Sequence, residues 1–213
     1  MNIILDHIMP VPLASIQHGA DSIWGRRIEL EQGRKIMLNA SSGKGKSTFT
    51  HTLFGLRKDF SGQLLFDGQD TAAYGFEDWT KIRREGIAVL FQDLQLFPEL
   101  TVRENLQLKN QLSQTYTEEE LREQLDFLGI ADKWDQACGL LSMGQQQRVA
   151  IIRSLIQKFD WLILDEPFSH LDRENASKCL EMINKRCDEL RAGFVLTTLG
   201  DDYGFHYDQE LKL

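Results

Sequence analysis

One short stretch of the sequence carries the residue types of an anion-binding loop. The segment NASSGKGKST, residues 39–48, comes close to the pattern G-x-x-x-x-G-K-[ST], whose glycine-rich backbone cradles phosphates. Gly45, Lys46 and Ser47 are in place, but Ala40 stands where the first glycine is usual. Its β-carbon narrows the permitted backbone, although alanine is the smallest such replacement. The segment predicts a phosphate site; the alternative is a glycine-rich turn with a solvated lysine.

The chemistry of such a loop assigns roles to its residues. Backbone N–H groups would point at a phosphate, helped by the N-terminus of the following helix. Lys46 would reach the β- and γ-phosphates, the hydroxyl of Ser47 would bind Mg²⁺, and Lys44 would add positive charge at the mouth. The predicted nucleotide-binding residues of this loop are Ser41, Ser42, Gly43, Lys44, Gly45, Lys46, Ser47 and Thr48.

A pair of carboxylates follows an apolar stretch further along the chain. In WLILDEPFSHLD, residues 161–172, an apolar strand delivers Asp165 and Glu166 to its C-terminal end. Open α/β sheets bind ligands at that edge. Asp165 can hold Mg²⁺ through water, and Glu166 can act as a general base on an attacking water. The alternative, a strand that ends in two solvated acids, is disfavoured by the phosphate loop upstream.

The elements that must position these residues can be predicted from apolar runs and their flanks. Short runs at 36–39, 87–93 and 161–167 predict buried strands, and FVLTT predicts another. STFTHTLFGL predicts a helix that ends near Gly55. Because strands alternate with helices, we expect a mostly parallel α/β sheet.

The middle of the chain is helical in pattern. In YTEEELREQLDFLGI, Thr117 and Glu120 fit a capping box ahead of an apolar face. We place a helical subdomain at 94–141 and the core at 1–93 and 142–213. Another helix is predicted to start near Ser142, and a later one over RENASKCLEMINKRCDELRAG.

Composition bounds the class of protein. The chain has 213 residues, 42% of them hydrophobic, which suits one large domain with a packed core. The net charge of −8 argues against general nucleic-acid binding, which needs clustered cations, so we expect no nucleic-acid partner. The three widely spaced cysteines indicate reduced, buried thiols. We predict neither a signal peptide nor a membrane span, so a membrane role would need another chain.

Four segments, in this order, resemble an ATP-binding cassette (ABC) ATPase: ASSGKGKST, FQDLQLFPELTVREN, LSMGQQQRVAIIRSL and LILDEPFSHLD. The resemblance covers nearly the whole chain. LSMGQ is its most specific element, with Met143 where the family usually has glycine. The resemblance implies one domain with a P-loop NTPase (RecA-like) α/β core, an N-terminal antiparallel β-subdomain and an inserted α-helical subdomain. It also implies ATP and Mg²⁺ as cofactors.

By the same resemblance the nucleotide site is split between two cassettes. Ser142, Gly144 and Gln145 would face the γ-phosphate held by a second cassette, and Asp172 would lie in the dimer-contact loop. The second cassette could be another copy or a different chain. LSMGQQQR alone would otherwise be an ordinary helix start with Ser142 as N-cap. His170 replaces a small residue, and we expect it to be solvated or packed at the interface.

Gln92 would contact Mg²⁺ and the attacking water, so the predicted catalytic residues are Glu166, Gln92 and Lys46, and the predicted metal ligands are Ser47, Gln92 and Asp165. The segment LQLFPELTVREN would lie at the groove that receives a helix of an integral membrane subunit. The alternative is an amphipathic loop that packs on its own subdomain.

Two departures from the family pattern concern chemistry. Where a histidine usually contacts the γ-phosphate, the sequence has Leu199 within TTLG. We therefore expect ATP binding with slow hydrolysis. The adenine-stacking aromatic should lie near SIQHGA, where His18 is the candidate and Trp24 is a weaker one.

The resemblance favours the ATPase subunit of a transporter, similar to the lipoprotein-release and macrolide-export group. It would lie on the cytoplasmic face of the membrane as a peripheral subunit. The alternative is an ATP-gated regulatory protein that hydrolyses slowly and acts on a membrane or assembly partner without transport. The short span between Gln92 and Ser142 argues against DNA-repair cassettes, which carry long insertions.

Overall fold

The computed structural model describes residues 1–41 and 43–213. Its strands are β1 (Ile3–Pro10), β2 (Arg27–Leu30), β3 (Lys35–Asn39), β4 (Phe60–Phe66), β5 (Gln69–Asp70), β6 (Ile87–Leu90), β7 (Trp161–Asp165), β8 (Gly193–Thr198) and β9 (Gln209–Lys212). Its α-helices are α1 (Lys46–Leu53), α2 (Phe76–Lys81), α3 (Val102–Ser113), α4 (Glu118–Phe127), α5 (Met143–Leu155) and α6 (Arg173–Leu190).

A parallel sheet forms the centre, with strand order β6-β7-β8-β3-β9. Successive side chains of a strand point to opposite faces, and here both faces are apolar. Leu162 and Leu164 of β7 join one core, whereas Ile163 between them joins the other. Burial on both faces is the reason these strands are continuous apolar runs in the sequence.

An antiparallel sheet, with strand order β2-β1-β4-β5, covers one face of the parallel sheet. Strand β1 pairs with both β2 and β4, and Ile3, Leu5 and Leu64 contribute to the shared core. Helix α1 adds Phe49 and Leu53 to the same core, so the helix that follows the phosphate loop is anchored between the sheets.

Helices α3 to α6 pack on the other face. Thr117 and Glu120 form the predicted capping box of α4, since the Thr117 hydroxyl accepts from the Glu120 N–H and the Glu120 carboxylate accepts from the Thr117 N–H. Thr101 and Glu104 form a second one at α3, which the sequence analysis missed. Helices α3 and α4 fall within 94–141, although the subdomain boundaries stay a prediction.

The predicted strands 87–93 and 161–167 are present in the structure but are shorter than predicted, and the cysteines are buried as predicted. The predicted strand 87–93 ends at Leu90, and the residues after it turn away from the sheet. The predicted strand 161–167 ends at Asp165. Cys138, Cys179 and Cys187 are buried and free, and burial raises the pKa of Cys179 and Cys187 to about 12. In the described residues, no helix is both long and apolar enough to cross a membrane.

Candidate nucleotide-binding site

The predicted site residues converge on the carboxyl edge of the parallel sheet. The register pairs Asn39 of β3 with Thr198 of β8, and Asp165 of β7 with Thr197 of β8. Three neighbouring strands therefore end side by side, and the loops that follow them share one edge. This is the edge at which parallel α/β sheets place ligands.

The phosphate loop ends at Gly45, the N-cap residue of α1, whose φ of 105° lies in the left-handed region. A β-carbon at Gly45 would lie 2.6 Å from Leu13 and 3.3 Å from the indole nitrogen of Trp24. Only glycine fits both the backbone and the space. The N-cap residue, Gly45, has no side chain to cap the helix start, so among the described residues the first N–H groups are left for an anion. Ser42 lies outside the described residues.

Lys46 is 6% exposed and points into its own loop. Its ammonium donates to the carbonyl oxygens of Ala40 at 2.8 Å and Ser41 at 3.3 Å, and it lies 3.2 Å from a carboxylate oxygen of Glu166. The structure therefore brings together the predicted phosphate-binding lysine and the predicted base. A buried ammonium surrounded by acceptors is a strong site for phosphate oxygens, which would replace the present partners.

Asp165 and Glu166 are held by the neighbouring strand. The Thr197 hydroxyl donates to Asp165 Oδ1 at 2.9 Å and accepts from the Glu166 N–H at 3.1 Å. Burial raises the pKa of Asp165, although hydrogen bonds from Ser47 and Thr197 and the charge of Lys46 oppose that effect. A buried carboxyl group with these neighbours suits a cation, because a nearby positive charge favours the charged form of a carboxyl group.

Ser47, Gln92 and Asp165 line one cleft, together with His51 and Phe91. A hydroxyl, an amide and a carboxylate supply oxygen donors, which Mg²⁺ prefers, and the cleft leaves room for its waters. These three residues fit the ion. Thr48, the last residue of the predicted loop, lies within the first turn of α1.

The loop after β1 covers one side of the phosphate loop. Lys44 donates through its ammonium to the carbonyl of Gln17 at 3.4 Å, and the neighbouring His18 is bonded through Nε2 to the Leu13 carbonyl at 2.8 Å. His18 thus lies beside the phosphate loop. Trp24 is 4% exposed, donates to the Lys44 carbonyl and packs edge-on against Phe49. Trp24 therefore packs against the phosphate loop, and its indole ring is too buried to stack on an adenine.

The predicted signature residues lie away from this cleft, at the start of α5. The Ser142 hydroxyl accepts from the Gln145 N–H at 3.3 Å, and the Gln145 amide oxygen accepts from the Ser142 N–H at 3.0 Å. Ser142 is thus the N-cap, and its hydroxyl keeps its own proton for donation. Asp172 is the N-cap of α6, and it accepts from the Asn175 N–H. Within the described part of the chain, neither group lines the cleft that contains Ser47 and Asp165.

The segment after β8 contains no imidazole at the position where the family has one. Leu199 is 64% exposed. The turn around it is held by the Thr198 hydroxyl, which accepts from the N–H groups of Gly200 and Asp201. The next histidine, His206, is exposed in a later part of this segment.

An apolar groove lies between the sheet edge and the helical region. Phe54, Leu94, Phe97, Leu108 and Leu112 are among its lining residues. The backbone of Phe97 is tied to Asn105 of α3 in both directions, and Arg153 donates to the carbonyls of Leu94 and Gln95. The loop is therefore bonded to its own helices, as one reading of the sequence predicted, while the Phe97 side chain stays 53% exposed.

Sequence reasoning missed two residues that shape the site. Thr197 orients both carboxylate-bearing residues, and Trp24 was considered only as a stacking surface. A signal for Thr197 was present, since a hydroxyl in the otherwise apolar run FVLTT must find a buried partner. No local signal places Trp24 under a loop 20 residues away.

Known proteins are similar to this chain in both sequence and fold. The profile described as ABC transporter matches residues 25–169. A lipoprotein-releasing system ATP-binding protein of Chlorobium chlorochromatii is 31% identical over 190 residues, which cover 87% of this chain and 77% of that protein. A thiamine import ATP-binding protein of Haemophilus influenzae is 35% identical over 175 residues, which cover 80% and 78%. A solved dimeric bacterial ABC transporter cassette has a TM-score of 0.80 at 25% identity, with 99% of this chain and 94% of that chain covered.

Proposed function

Because the chain belongs to the ABC transporter family of ATP-binding cassettes, we propose that it is the ATP-hydrolysing subunit of a transporter whose membrane-spanning part is another chain. The observation that carries the proposal is the meeting of Lys46 with Glu166, at 3.2 Å, beside the cleft of Ser47 and Asp165. Phosphate binding, metal binding and water activation thereby share one sheet edge.

In the proposed site, the loop from Ser41 to Thr48 holds the phosphates of ATP. Lys46 exchanges its present carbonyl partners for the β- and γ-phosphates, which frees Glu166 to accept a proton from the attacking water. Ser47, Gln92 and Asp165 would hold Mg²⁺, which when bound neutralises phosphate charge. His18 is the proposed adenine contact, since its ring lies next to the residue that touches Lys44.

The second part of the proposal is a head-to-tail dimer of cassettes. As far as the described residues define it, the cleft of this chain is not lined by four of the predicted residues, which is the arrangement that a split site requires: Ser142, Gly144, Gln145 and Asp172. The N–H groups at the start of α5 would bind the γ-phosphate held by the partner cassette. Met143, 47% exposed at this helix start, would lie in that interface. The partner is either a second copy or a related cassette.

The membrane partner is proposed to insert an amphipathic helix into the apolar groove. Exposed Phe97, Leu108 and Leu112 supply an apolar lining, and Asn105 and Arg153 fix the loop that bears Phe97. The cassette would then lie on the cytoplasmic face of the membrane. One relative is named as the ATP-binding protein of a lipoprotein-releasing system, and another as a thiamine import ATP-binding protein. Their identities to this chain are similar, 31% and 35%, so we propose that the membrane subunits select the cargo.

We also propose that hydrolysis is slow, because the alkyl side chain of Leu199 cannot donate a hydrogen bond to the γ-phosphate. Slow turnover is the property that would suit a regulatory cassette. The relatives are nevertheless named for release and import, which favours transport.

The split site is tested with Glu166→Gln, which keeps the shape of the base but cannot take a proton. With Mg²⁺ and ATP we expect this variant to double in mass by light scattering, whereas ADP leaves it unchanged. Adding Lys46→Ala should abolish the ATP-dependent dimer. A monomer at saturating ATP would reject a homodimer. Identification of the chains that co-purify from native membranes then decides between a different cassette and no cassette partner.

A further inference from the structure

The start of α5 is bonded to the loop that carries the proposed base. Gln147, on the second turn of α5, is 1% exposed. Its amide nitrogen donates to the Glu166 carbonyl at 3.3 Å and to the Ser169 hydroxyl at 3.2 Å. Its amide oxygen accepts from the His170 N–H at 3.0 Å. One side chain thus uses both its donors and its acceptor on the segment 166–170.

The backbone of Glu166 depends on such support. Its φ of 49° lies in the left-handed region, which a residue with a side chain adopts only when its surroundings hold it there. The Thr197 hydroxyl holds its N–H, and Gln147 holds its carbonyl. The direction of the Glu166 carboxylate is therefore set from two sides, one of them on α5.

A second contact joins the same two elements. A β-carbon on Gly144 would lie 2.8 Å from the His170 carbonyl oxygen, so the helix start approaches the loop as closely as a glycine permits. Gly144 is also the residue proposed to face the γ-phosphate of the partner. The first turns of α5 and the segment 166–170 are consequently packed to move together.

We propose that Gln147 is a positioning residue that couples the two nucleotide sites. It connects the helix start that would face the partner's ATP to the base that would act on this chain's own ATP. The inference rests on the proposed function. When a γ-phosphate draws in the start of α5, the Gln147 amide carries that displacement to the carbonyl of Glu166. Coupling is reciprocal, so the position of Glu166 also biases the helix start.

The neighbouring Gln146 provides a matched control. It has the same side chain on the same helix, but its amide nitrogen donates to the Leu141 carbonyl at 3.0 Å and not to the segment 166–170. Gln147→Met and Gln146→Met each replace an amide by an apolar side chain of similar length. Of these two variants, Gln147→Met removes the hydrogen bond to the Glu166 carbonyl, and Gln146→Met leaves it in place.

The test measures ATP affinity by calorimetry and the hydrolysis rate in single turnovers with labelled ATP. We expect Gln147→Met to lower the rate about tenfold or more, as loss of hydrogen bonds to a strained segment implies, with ATP affinity within about twofold of wild type. Gln146→Met should leave both within about twofold. A separation of rate from affinity is not expected of a merely destabilised protein.

Three other outcomes would contradict either this inference or the proposed function. Equal rates for Gln147→Met and wild type, with normal ATP binding, would overturn the inference and leave the proposed function standing. Parallel loss of rate and affinity would also overturn it, since that indicates a structural role. Absence of ATP binding by wild type would defeat the proposed function itself. If Gln147→Met does not fold, Gln147→Glu is used, because its carboxylate still accepts from His170 but cannot donate to Glu166, and the same loss of rate is expected.

Discussion

Two loops at the same sheet edge depart from the family pattern in opposite ways. The phosphate loop follows β3 and the turn with Leu199 follows β8, and these strands are neighbours paired in parallel. The loops are bonded to each other, because the Ala40 N–H donates to the Thr198 carbonyl at 3.2 Å. Ala40 is 5% exposed, whereas Leu199 is 64% exposed.

The departure at Ala40 falls on a residue whose backbone does not require glycine. Ala40 does not have a positive φ, so its backbone is one that any residue adopts. Its carbonyl still binds the Lys46 ammonium. Gly45, where the backbone and Trp24 do demand glycine, is retained.

The departure at Leu199 concerns a side chain on an ordered turn, and under the proposed function it removes a hydrogen-bond donor. The Thr198 hydroxyl still holds the turn through Gly200 and Asp201. An alkyl side chain, however, cannot donate a hydrogen bond to a phosphate oxygen. We therefore expect that a motif position used for backbone shape tolerates a small residue, whereas a position used for its functional group does not.

The largest effect is expected from Lys46→Ala, which removes the ammonium group that is proposed to bind the phosphates. Loss of two or more charge-assisted hydrogen bonds should weaken Mg²⁺-dependent ATP binding by about 100-fold or more. Calorimetry measures the affinity. The control is Lys44→Ala, which should cost less than about tenfold in affinity, because among the described residues the Lys44 ammonium donates to the Gln17 carbonyl at the surface. Unaltered ATP binding by Lys46→Ala would show that this loop is not the nucleotide site.

The second effect concerns the other loop. Leu199→His adds a hydrogen-bond donor to the turn that follows β8. We expect single-turnover hydrolysis to rise about 10- to 100-fold, since a hydrogen bond to a charged group contributes about 1.5–3 kcal/mol. Leu199→Ala, which removes the alkyl group without adding a donor, should stay at the wild-type rate. Wild-type turnover as fast as that of the histidine variant would refute the proposal of slow hydrolysis.

The local parts of the fold could be predicted from the sequence, since neighbouring residues determine them. Thr117 with Glu120, and Ser142 at the start of α5, bond to groups three residues away. The apolar run before Asp165 predicts its strand because both faces are buried. The resemblance supplied the antiparallel sheet, in which β1 pairs with β4 some 60 residues on, a contact that no local pattern specifies.

The candidate site was less predictable than its motifs. Residue types and spacing predict roles for Lys46, Ser47 and Asp165, and the structure places these residues at one edge. Trp24 and Gln147 act through contacts with segments about 20 residues distant in the chain. Such contacts arise only when the two segments pack together in the folded chain, so the sequence of either segment alone does not predict them.

The smallest effect is expected from Ala40→Gly, which restores the family residue. Because Ala40 has an unstrained backbone, ATP affinity should change by less than about threefold, and stability should fall by about 0.5–1 kcal/mol from the added freedom of the unfolded chain. Gly45→Ala is the contrasting control: its left-handed φ and the clash with Leu13 should cost about 1–3 kcal/mol. Thermal unfolding and calorimetry measure both variants. If Ala40→Gly instead raised ATP affinity tenfold, Ala40 would be weakening ATP binding by the phosphate loop. Both departures at this edge would then impair function.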